Sequence, residues 1–160
     1  MYYPGTIFFS RTATAMEKIR VHAQFHTGHR QIGYPGKCRF VHGHTWRATI
    51  VVACEEFPRD ELDMALDFGD LKKIYRDLDH KMLIVPTDKE FMDPALFDPE
   101  GVVVLQGKGP SVEVVAAYGM DKVIEHIRDK FPGRGVEYFI EVEIQETDNN
   151  FFTMDRHVVI

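Results

Sequence analysis

The amino-acid sequence predicts an α+β fold, in which an antiparallel sheet carries two helices on one face. Some segments alternate apolar and polar residues, as half-buried strands do, and two others place apolar residues at helical spacing. The strand segments outnumber the helical ones, and some are neighbours along the chain, which favours antiparallel pairing. A chain of 160 residues suits one domain with its own core, and we treat residues 1–160 as a single domain.

The first two predicted strands lie on either side of a loop. In the segment IRVHAQFH, Ile19, Val21 and Phe25 fall on one face and polar side chains alternate with them. The following stretch QIGYPGK is rich in glycine and proline, which predicts a loop. A long β-rich segment, HTWRATIVVACEE, comes next and predicts the second strand.

The first predicted helix is the segment DFGDLKKIYRDLDH. Leu71, Ile74 and Leu78 recur at helical spacing, and Asp67 or Asp70 is suited to cap its N-terminus or occupy its first turn. The helix is expected to extend to the Asp-His pair that ends this segment.

The second predicted helix is PSVEVVAAYGMDKVIEHIRDKF. Ser111 can cap it, the carboxylate of Glu113 favours its positive end, and FPGRG stops it. Between the helices, residues 83–109 read as an irregular excursion with one short strand near VVVL. The alternating segment GVEYFIEVEIQET predicts the last strand, so that four strands form the sheet.

Composition excludes several classes of function. The net charge of −6 argues against general nucleic-acid binding, and no apolar run is long enough to span a membrane. Two cysteines make a disulfide framework improbable, so a reducing cytoplasm is expected. Positive charge is nevertheless concentrated between Val21 and Cys54, where no acidic residue occurs; such an island can attract an anionic small molecule. Its basic residues are Arg30, Lys37, Arg39 and Arg47.

Two histidines at alternate positions, His42 and His44, predict a metal site. Residues two apart on a strand point to the same side, so both imidazoles can bind one ion. A third ligand must come from another element, and His29 is a good candidate, with His26 and His22 as alternatives. Three neutral imidazoles leave the fourth position of a zinc ion open, as catalytic sites do.

The chain has two cysteines, and only one of them lies near this predicted site. Cys38 precedes His42 by four residues and can either complete a structural site or act as a thiol beside an open one. Cys54 lies ten residues beyond His44 on the same strand, too far to join the site.

Five segments together resemble the 6-pyruvoyltetrahydropterin synthase and 6-carboxytetrahydropterin synthase family. FHTGHR is similar to the family's Phe-x-Ala-x-His opening, and CRFVHGHTW to its Cys-x-x-x-His-Gly-His segment. The other three are LDHKML, GPSVEVVA and IQET, and all five occur in the family's order. The resemblance implies the tunnelling fold, or T-fold, with subunits in barrel-like trimers that stack as homohexamers, and with active sites between subunits.

The resemblance also implies roles for individual residues. It implies one zinc ion on His29, His42 and His44. It implies that Cys38 is the proton-abstracting thiolate and that Asp79 and His80 are its catalytic partners. Glu146 is implied to bind the pterin, and Ser111 and Glu113 at the helix start are also implied to bind substrate.

The local pattern is compatible with these roles without requiring them. Glu146 has the strand parity of the apolar Ile144, and a carboxylate on an apolar face needs a partner, which the paired N–H groups of a pterin can supply. A strand that ends before Glu146 would instead leave it solvated. Asp79 and His80, taken alone, indicate a helix end, where the dipole favours a cationic imidazole.

The family's substrate is 7,8-dihydroneopterin triphosphate. The four-residue interval between Cys38 and His42 resembles the branch that forms 6-carboxytetrahydropterin, acetaldehyde and triphosphate for queuosine-type synthesis. Elimination of triphosphate to 6-pyruvoyltetrahydropterin is the alternative lyase reaction, and a non-catalytic, zinc-stabilised pterin-binding paralogue is another. A role for Mg²⁺ beside the triphosphate stays open.

Three features depart from the family pattern. Ile84 stands where the family usually has Asn, residues 85–108 form an insertion, and residues 1–17 form an N-terminal extension. These segments can reshape the mouth of the pocket or a subunit contact.

Overall fold

A computed structural model describes residues 16–160, which form a six-stranded sheet and two helices. The expected N-terminal extension, residues 1–17, lies outside the described residues except for its last two positions, and Glu17 already belongs to the first strand. The elements are β1 (Glu17–His29), β2 (His42–Cys54), α1 (Phe68–Arg76), β3 (Lys81–Ile84), β4 (Val102–Val104), α2 (Val112–Lys130), β5 (Glu137–Thr147) and β6 (Asn150–Val159).

The expected four-stranded antiparallel sheet is wrong in strand number and direction. The strand order is β4-β3-β1-β2-β5-β6; β1, β2, β5 and β6 pair antiparallel, while β3 is parallel to both β1 and β4. β6 was not expected because Arg156 occupies its core-facing row and Phe151 its outward row, which blurs the alternation of apolar and polar residues.

Both helices pack on one face of the sheet, as predicted. The aromatic rings of Phe25 on β1 and Tyr75 on α1 stack with centroids 5.4 Å apart. Val115 and Met120 of α2 belong to the same buried cluster as the core-facing residues of β2 and β5. Within residues 16–160, no helix covers the opposite face of the sheet, which carries the polar residues of β1 and β2.

The helix termini agree only in part with the prediction. Asp67 caps α1 through its side chain, which accepts hydrogen bonds from the backbone N–H groups of Gly69 and Asp70. The helix ends at Arg76, so the Asp79–His80 pair lies in the turn before β3 and not in the helix. At α2, Ser111 occupies the N-cap position, but its side chain makes no capping hydrogen bond in the described structure.

The excursion between the helices contains β3 and two short 3₁₀ turns in addition to the predicted strand, β4. Besides the pairing of β3 with β1, Arg30 holds the excursion near the end of β1, because it donates hydrogen bonds to Asp88 and Glu90. None of the helices in the described part of the chain is both long enough and apolar enough to cross a membrane.

Candidate functional site

Three histidines meet where β1 ends and β2 begins. His29 lies opposite His42 in the antiparallel register, and His44 follows two residues later on the same face. The ligand atoms of the three imidazoles all lie within 4.8 Å of one another. The predicted set is therefore brought together. The alternatives, His22 and His26, lie on the other face of β1.

The hydrogen bonds of two histidines leave their Nε2 atoms free to bind a metal. Nδ1 of His29 lies 2.8 Å from the carbonyl oxygen of Pro110, and Nδ1 of His42 lies 2.8 Å from that of Phe40. A carbonyl oxygen only accepts, so each Nδ1 carries the hydrogen and each Nε2 bears a lone pair. The Nε2 of His29 is buried without a hydrogen-bond partner in the described structure. Such backbone carbonyls commonly orient metal-bound histidines.

Burial favours the neutral form of His29 and of His44. Desolvation lowers the pKa of His29 to about 4, and the hydrogen bond to Pro110 only partly opposes this effect. Burial also lowers the pKa of His44, although the nearby Glu146 carboxylate acts in the opposite direction. Zinc binds the neutral form of imidazole, so the donor set fits this ion.

The chain's single tryptophan forms one wall of the cluster. Trp46 is fully buried, and its ring centroid lies 5.2 Å from that of His29 and 5.6 Å from that of His44, with nearly perpendicular planes. Trp46 lies on the same strand face as His42 and His44, as predicted, but its contacts with His29 and His44 were not predicted. The hydrogen bond from His29 to the carbonyl oxygen of Pro110 was not predicted either, because no local sequence pattern signals it.

Glu146 also reaches the histidine cluster. It lies within β5, so the alternative that the strand ends before it is wrong. Its Oε1 lies 3.6 Å from Nε2 of His29 and 3.9 Å from Nε2 of His44, and its side chain is 22% exposed. The register of β5 against β6 is irregular between Gln145 and Thr147.

Asp79 and His80 form a hydrogen-bonded pair in the turn before β3. Nδ1 of His80 lies 2.9 Å from Oδ2 of Asp79, while Oδ1 of Asp79 accepts from the backbone N–H of His26 at 2.6 Å. This backbone hydrogen bond is the main reason that the pKa of Asp79 is lowered. The carboxylate therefore stays ionised and orients an imidazole that is 81% exposed.

Within one chain, this pair does not face the histidine cluster. The ring of His80 lies 6.2 Å from that of His26, whose Nδ1 contacts Thr45 on the outward face of the hairpin. His29 and His44 point to the opposite face, towards the helices. The two predicted parts of the site are therefore on different sides of the sheet.

Cys38, Ser111 and Glu113 are the other predicted site residues. Cys38 is exposed in the turn Lys37–Arg39, and its carbonyl oxygen accepts from the backbone N–H of Gln31 at 2.7 Å. Ser111 is half-buried and Glu113 exposed, and both are close along the chain to Pro110, which holds His29. Their roles stay predictions.

The island of positive charge is weaker than its sequence indicates. Arg30 is neutralised by Asp88 and Glu90 from the excursion, and Arg47 lies 3.5 Å from Asp148. The residues that neutralise these arginines lie far away in the sequence.

Comparisons with known proteins identify similar sequences. The sequence model described as "6-pyruvoyl tetrahydropterin synthase" matches residues 18–157. The 6-carboxy-5,6,7,8-tetrahydropterin synthases of Rickettsia felis and Rickettsia bellii are 27% and 26% identical over 142 residues, which cover 85% of this chain and 98% of each relative.

A solved structure supports the fold. A catalytic-residue mutant of Plasmodium vivax 6-pyruvoyltetrahydropterin synthase superposes with a TM-score of 0.66 over 90% of this chain and 99% of that one, at 21% identity. At this identity the likeness concerns the fold alone. Since the family's sequence model spans nearly the whole described chain, the protein belongs to the 6-pyruvoyl tetrahydropterin synthase family.

Proposed function

We propose that the protein is a zinc-dependent 6-carboxy-5,6,7,8-tetrahydropterin synthase. It converts 7,8-dihydroneopterin triphosphate and water to 6-carboxytetrahydropterin, acetaldehyde and triphosphate. The observation that carries this proposal is the convergence of three imidazoles, His29, His42 and His44, at the end of the hairpin. The names of the Rickettsia relatives and the interval from Cys38 to His42 favour the carboxy-forming branch.

The three histidines hold the metal in this proposal. A bound zinc ion supplies Lewis-acid polarisation of the substrate's side-chain hydroxyls. The carbonyl oxygens of Pro110 and Phe40 keep His29 and His42 in the tautomer that binds a metal. Burial against Trp46 limits the access of water to one side of the cluster.

Proton transfer is assigned to Cys38 and to the Asp79–His80 pair. The thiolate of Cys38, in an exposed turn next to the end of β1, removes a proton from the substrate side chain. Nε2 of His80 exchanges protons at another position, because Nδ1 is engaged by the ionised Asp79. Glu146 binds the pterin ring through its paired N–H groups.

The separation of these groups within one chain favours an active site shared between subunits. An exposed His80 on the outward sheet face can serve substrate held by the histidine cluster of a neighbouring copy. We therefore propose a homohexamer of two stacked trimers, as the family resemblance implies.

The experiment that tests the reaction is incubation of metal-analysed protein with 7,8-dihydroneopterin triphosphate, with products identified by mass and acetaldehyde assayed in parallel. Acetaldehyde together with 6-carboxytetrahydropterin supports the proposal. A 6-pyruvoyl product without acetaldehyde assigns the chain to the other branch, and no turnover by the zinc-loaded protein contradicts both.

The shared site is tested by mixing inactive variants. Cys38→Ala and His80→Ala are each expected to lose turnover and keep their zinc. Unfolded and refolded together, they should regain activity, because mixed oligomers contain sites with both groups intact. His22→Ala is the matched control, since His22 is exposed on the outward face and contacts Thr49. No recovery in demonstrated mixed oligomers would contradict sharing.

A further inference from the structure

We propose that Glu146 is the fourth ligand of the metal when no substrate is bound, and that substrate must displace this carboxylate. The proposal rests on the proposed function only in taking the three histidines as a metal site. It gives Glu146 a second role, which alternates with pterin binding.

The first argument is that Glu146 and His29 face each other without a hydrogen between them. Nδ1 of His29 donates to Pro110, so Nε2 presents a lone pair. The Glu146 oxygen 3.6 Å away is an acceptor as well, and this Nε2 makes no hydrogen bond within residues 16–160. Two acceptors at this separation repel each other unless a cation lies between them.

His29 is 2% exposed, so solvent does not supply a partner for its Nε2. A metal ion satisfies both lone pairs at once, and it also explains why Nε2 of His44 lies near the same carboxylate oxygen, at 3.9 Å.

The second argument is the shape of the donor set. Ligand atoms about 2.0–2.1 Å from a tetrahedral zinc lie about 3.3–3.4 Å from one another. The two distances from Oε1 of Glu146, 3.6 and 3.9 Å, are only slightly longer than this edge. One oxygen is shared between two histidines, which is the arrangement expected of a monodentate carboxylate in the fourth position.

The third argument is the backbone that carries Glu146. The pairing of β5 with β6 is irregular between Gln145 and Thr147, so Glu146 lies at an interruption of the ladder. Such irregularities are frequent beside active sites.

This arrangement couples metal chemistry to substrate recognition. A carboxylate on the metal occupies the position that substrate oxygen requires, and the same carboxylate is needed by the pterin's N–H groups. When the N–H groups of the pterin bind Glu146, the carboxylate leaves the metal, and the side chain of the substrate can take its place. Anions that lack a pterin do not offer Glu146 that alternative partner.

The test uses cobalt(II) in place of zinc, because its visible absorption reports coordination number and ligand type. The wild-type protein, Glu146→Gln and Glu143→Gln are compared without substrate, and metal affinity is measured by competition with a chelator. Glu143 is the matched control: it lies on the same strand but on the opposite face, where it accepts a hydrogen bond from Thr153.

Glu146→Gln is expected to change the cobalt spectrum and to weaken metal binding about tenfold to hundredfold, since even the loss of an outer partner has effects of this size. Glu143→Gln should leave both unchanged. Identical spectra and affinities in wild type and Glu146→Gln would overturn the proposal while leaving the three-histidine site intact. Failure of the wild type to bind cobalt would refute the metal site itself and the proposed function with it.

Stability of the metal-free protein separates a ligand from a structural ion pair. Because the Glu146 carboxylate faces a lone pair, Glu146→Gln should melt at the same temperature as wild-type apoprotein or higher. A lower melting temperature of this apo variant would show that the carboxylate stabilises the metal-free fold, and would overturn the proposal.

Displacement is tested with 7,8-dihydroneopterin, which has the pterin ring and hydroxyls but no triphosphate. Saturation should shift the wild-type cobalt spectrum away from its substrate-free form. An unchanged spectrum, with binding shown separately by calorimetry, would overturn the alternation between metal and pterin.

Discussion

Arg30 provides a direct comparison between a buried and an exposed carboxylate on the same guanidinium. It donates to both oxygens of Asp88, at 2.9 and 2.6 Å, and to Glu90 at 2.7 Å. Asp88 is 2% exposed and Glu90 is 74% exposed. These hydrogen bonds raise the pKa of Arg30 above its ordinary value, with Asp88 the larger cause. We predict that Asp88→Asn destabilises the protein far more than Glu90→Gln.

The magnitude follows from what each substitution removes. Asn has one acceptor oxygen, so at least one charge-assisted hydrogen bond is lost, and such bonds contribute about 1.5–3 kcal/mol each. Glu90 still balances the charge of Arg30, which keeps the loss below that of an uncompensated buried ion. We expect about 2–4 kcal/mol for Asp88→Asn, against about 0–1 kcal/mol for the exposed Glu90.

The assay is thermal unfolding of the metal-free proteins at equal concentration, because bound metal would add its own stabilisation. At this chain length about 1 kcal/mol shifts the melting temperature by roughly 2–4 °C. Asp88→Asn should therefore melt roughly 4–16 °C below wild type, and Glu90→Gln less than roughly 4 °C below it. Equal shifts for the two variants would refute the reasoning that burial decides the contribution.

Three further predictions concern the core, the cysteines and a helix cap. In Gly119→Ala the added Cβ would overlap the hydroxyl of Tyr75. Overpacking should destabilise the protein by about 1–3 kcal/mol, which exceeds the gain of about 1 kcal/mol in helix propensity, so urea unfolding should show a lower free energy of unfolding. Burial raises the pKa of Cys54 to about 11, so iodoacetamide at pH 8 should label only the exposed Cys38 in the folded protein. Both thiols should be labelled in urea. Labelling of Cys54 in the folded protein, detected by peptide mass analysis, would contradict this prediction. Asp67→Ala should lower the free energy of unfolding by about 1 kcal/mol, because the N-cap of α1 loses its acceptor, and an unchanged urea midpoint would be the contrary result.

Much of the fold follows from periodicity in the sequence. The regular alternation of β1 and β5 and the helical spacing around Leu71 were sufficient to predict these elements. β3 has only four residues, and β6 places Phe151 outward, so neither has a distinctive pattern. Short or irregular strands are stabilised by the neighbours to which they pair, and those neighbours are distant in sequence.

The candidate site could also be predicted only in part from the sequence. His42 and His44 share a face because side chains alternate along any strand, and this can be read from spacing alone. His29 joins them only because the hairpin register places it opposite His42. The long loop between the strands does not specify that register, so residue spacing left His22 and His26 as alternatives until the motif resemblance, and then the structure, selected His29.

The sequence by itself determined the residue types of the site, the local faces on which several lie, and the family motifs they form. Only the tertiary structure decided that Glu146 approaches the histidines while His80 lies across the sheet from them. It also showed that Arg30 is neutralised by the excursion. The physical reason is that periodicity acts within an element, whereas distances between elements depend on strand register, crossover direction and the packing of the shared core.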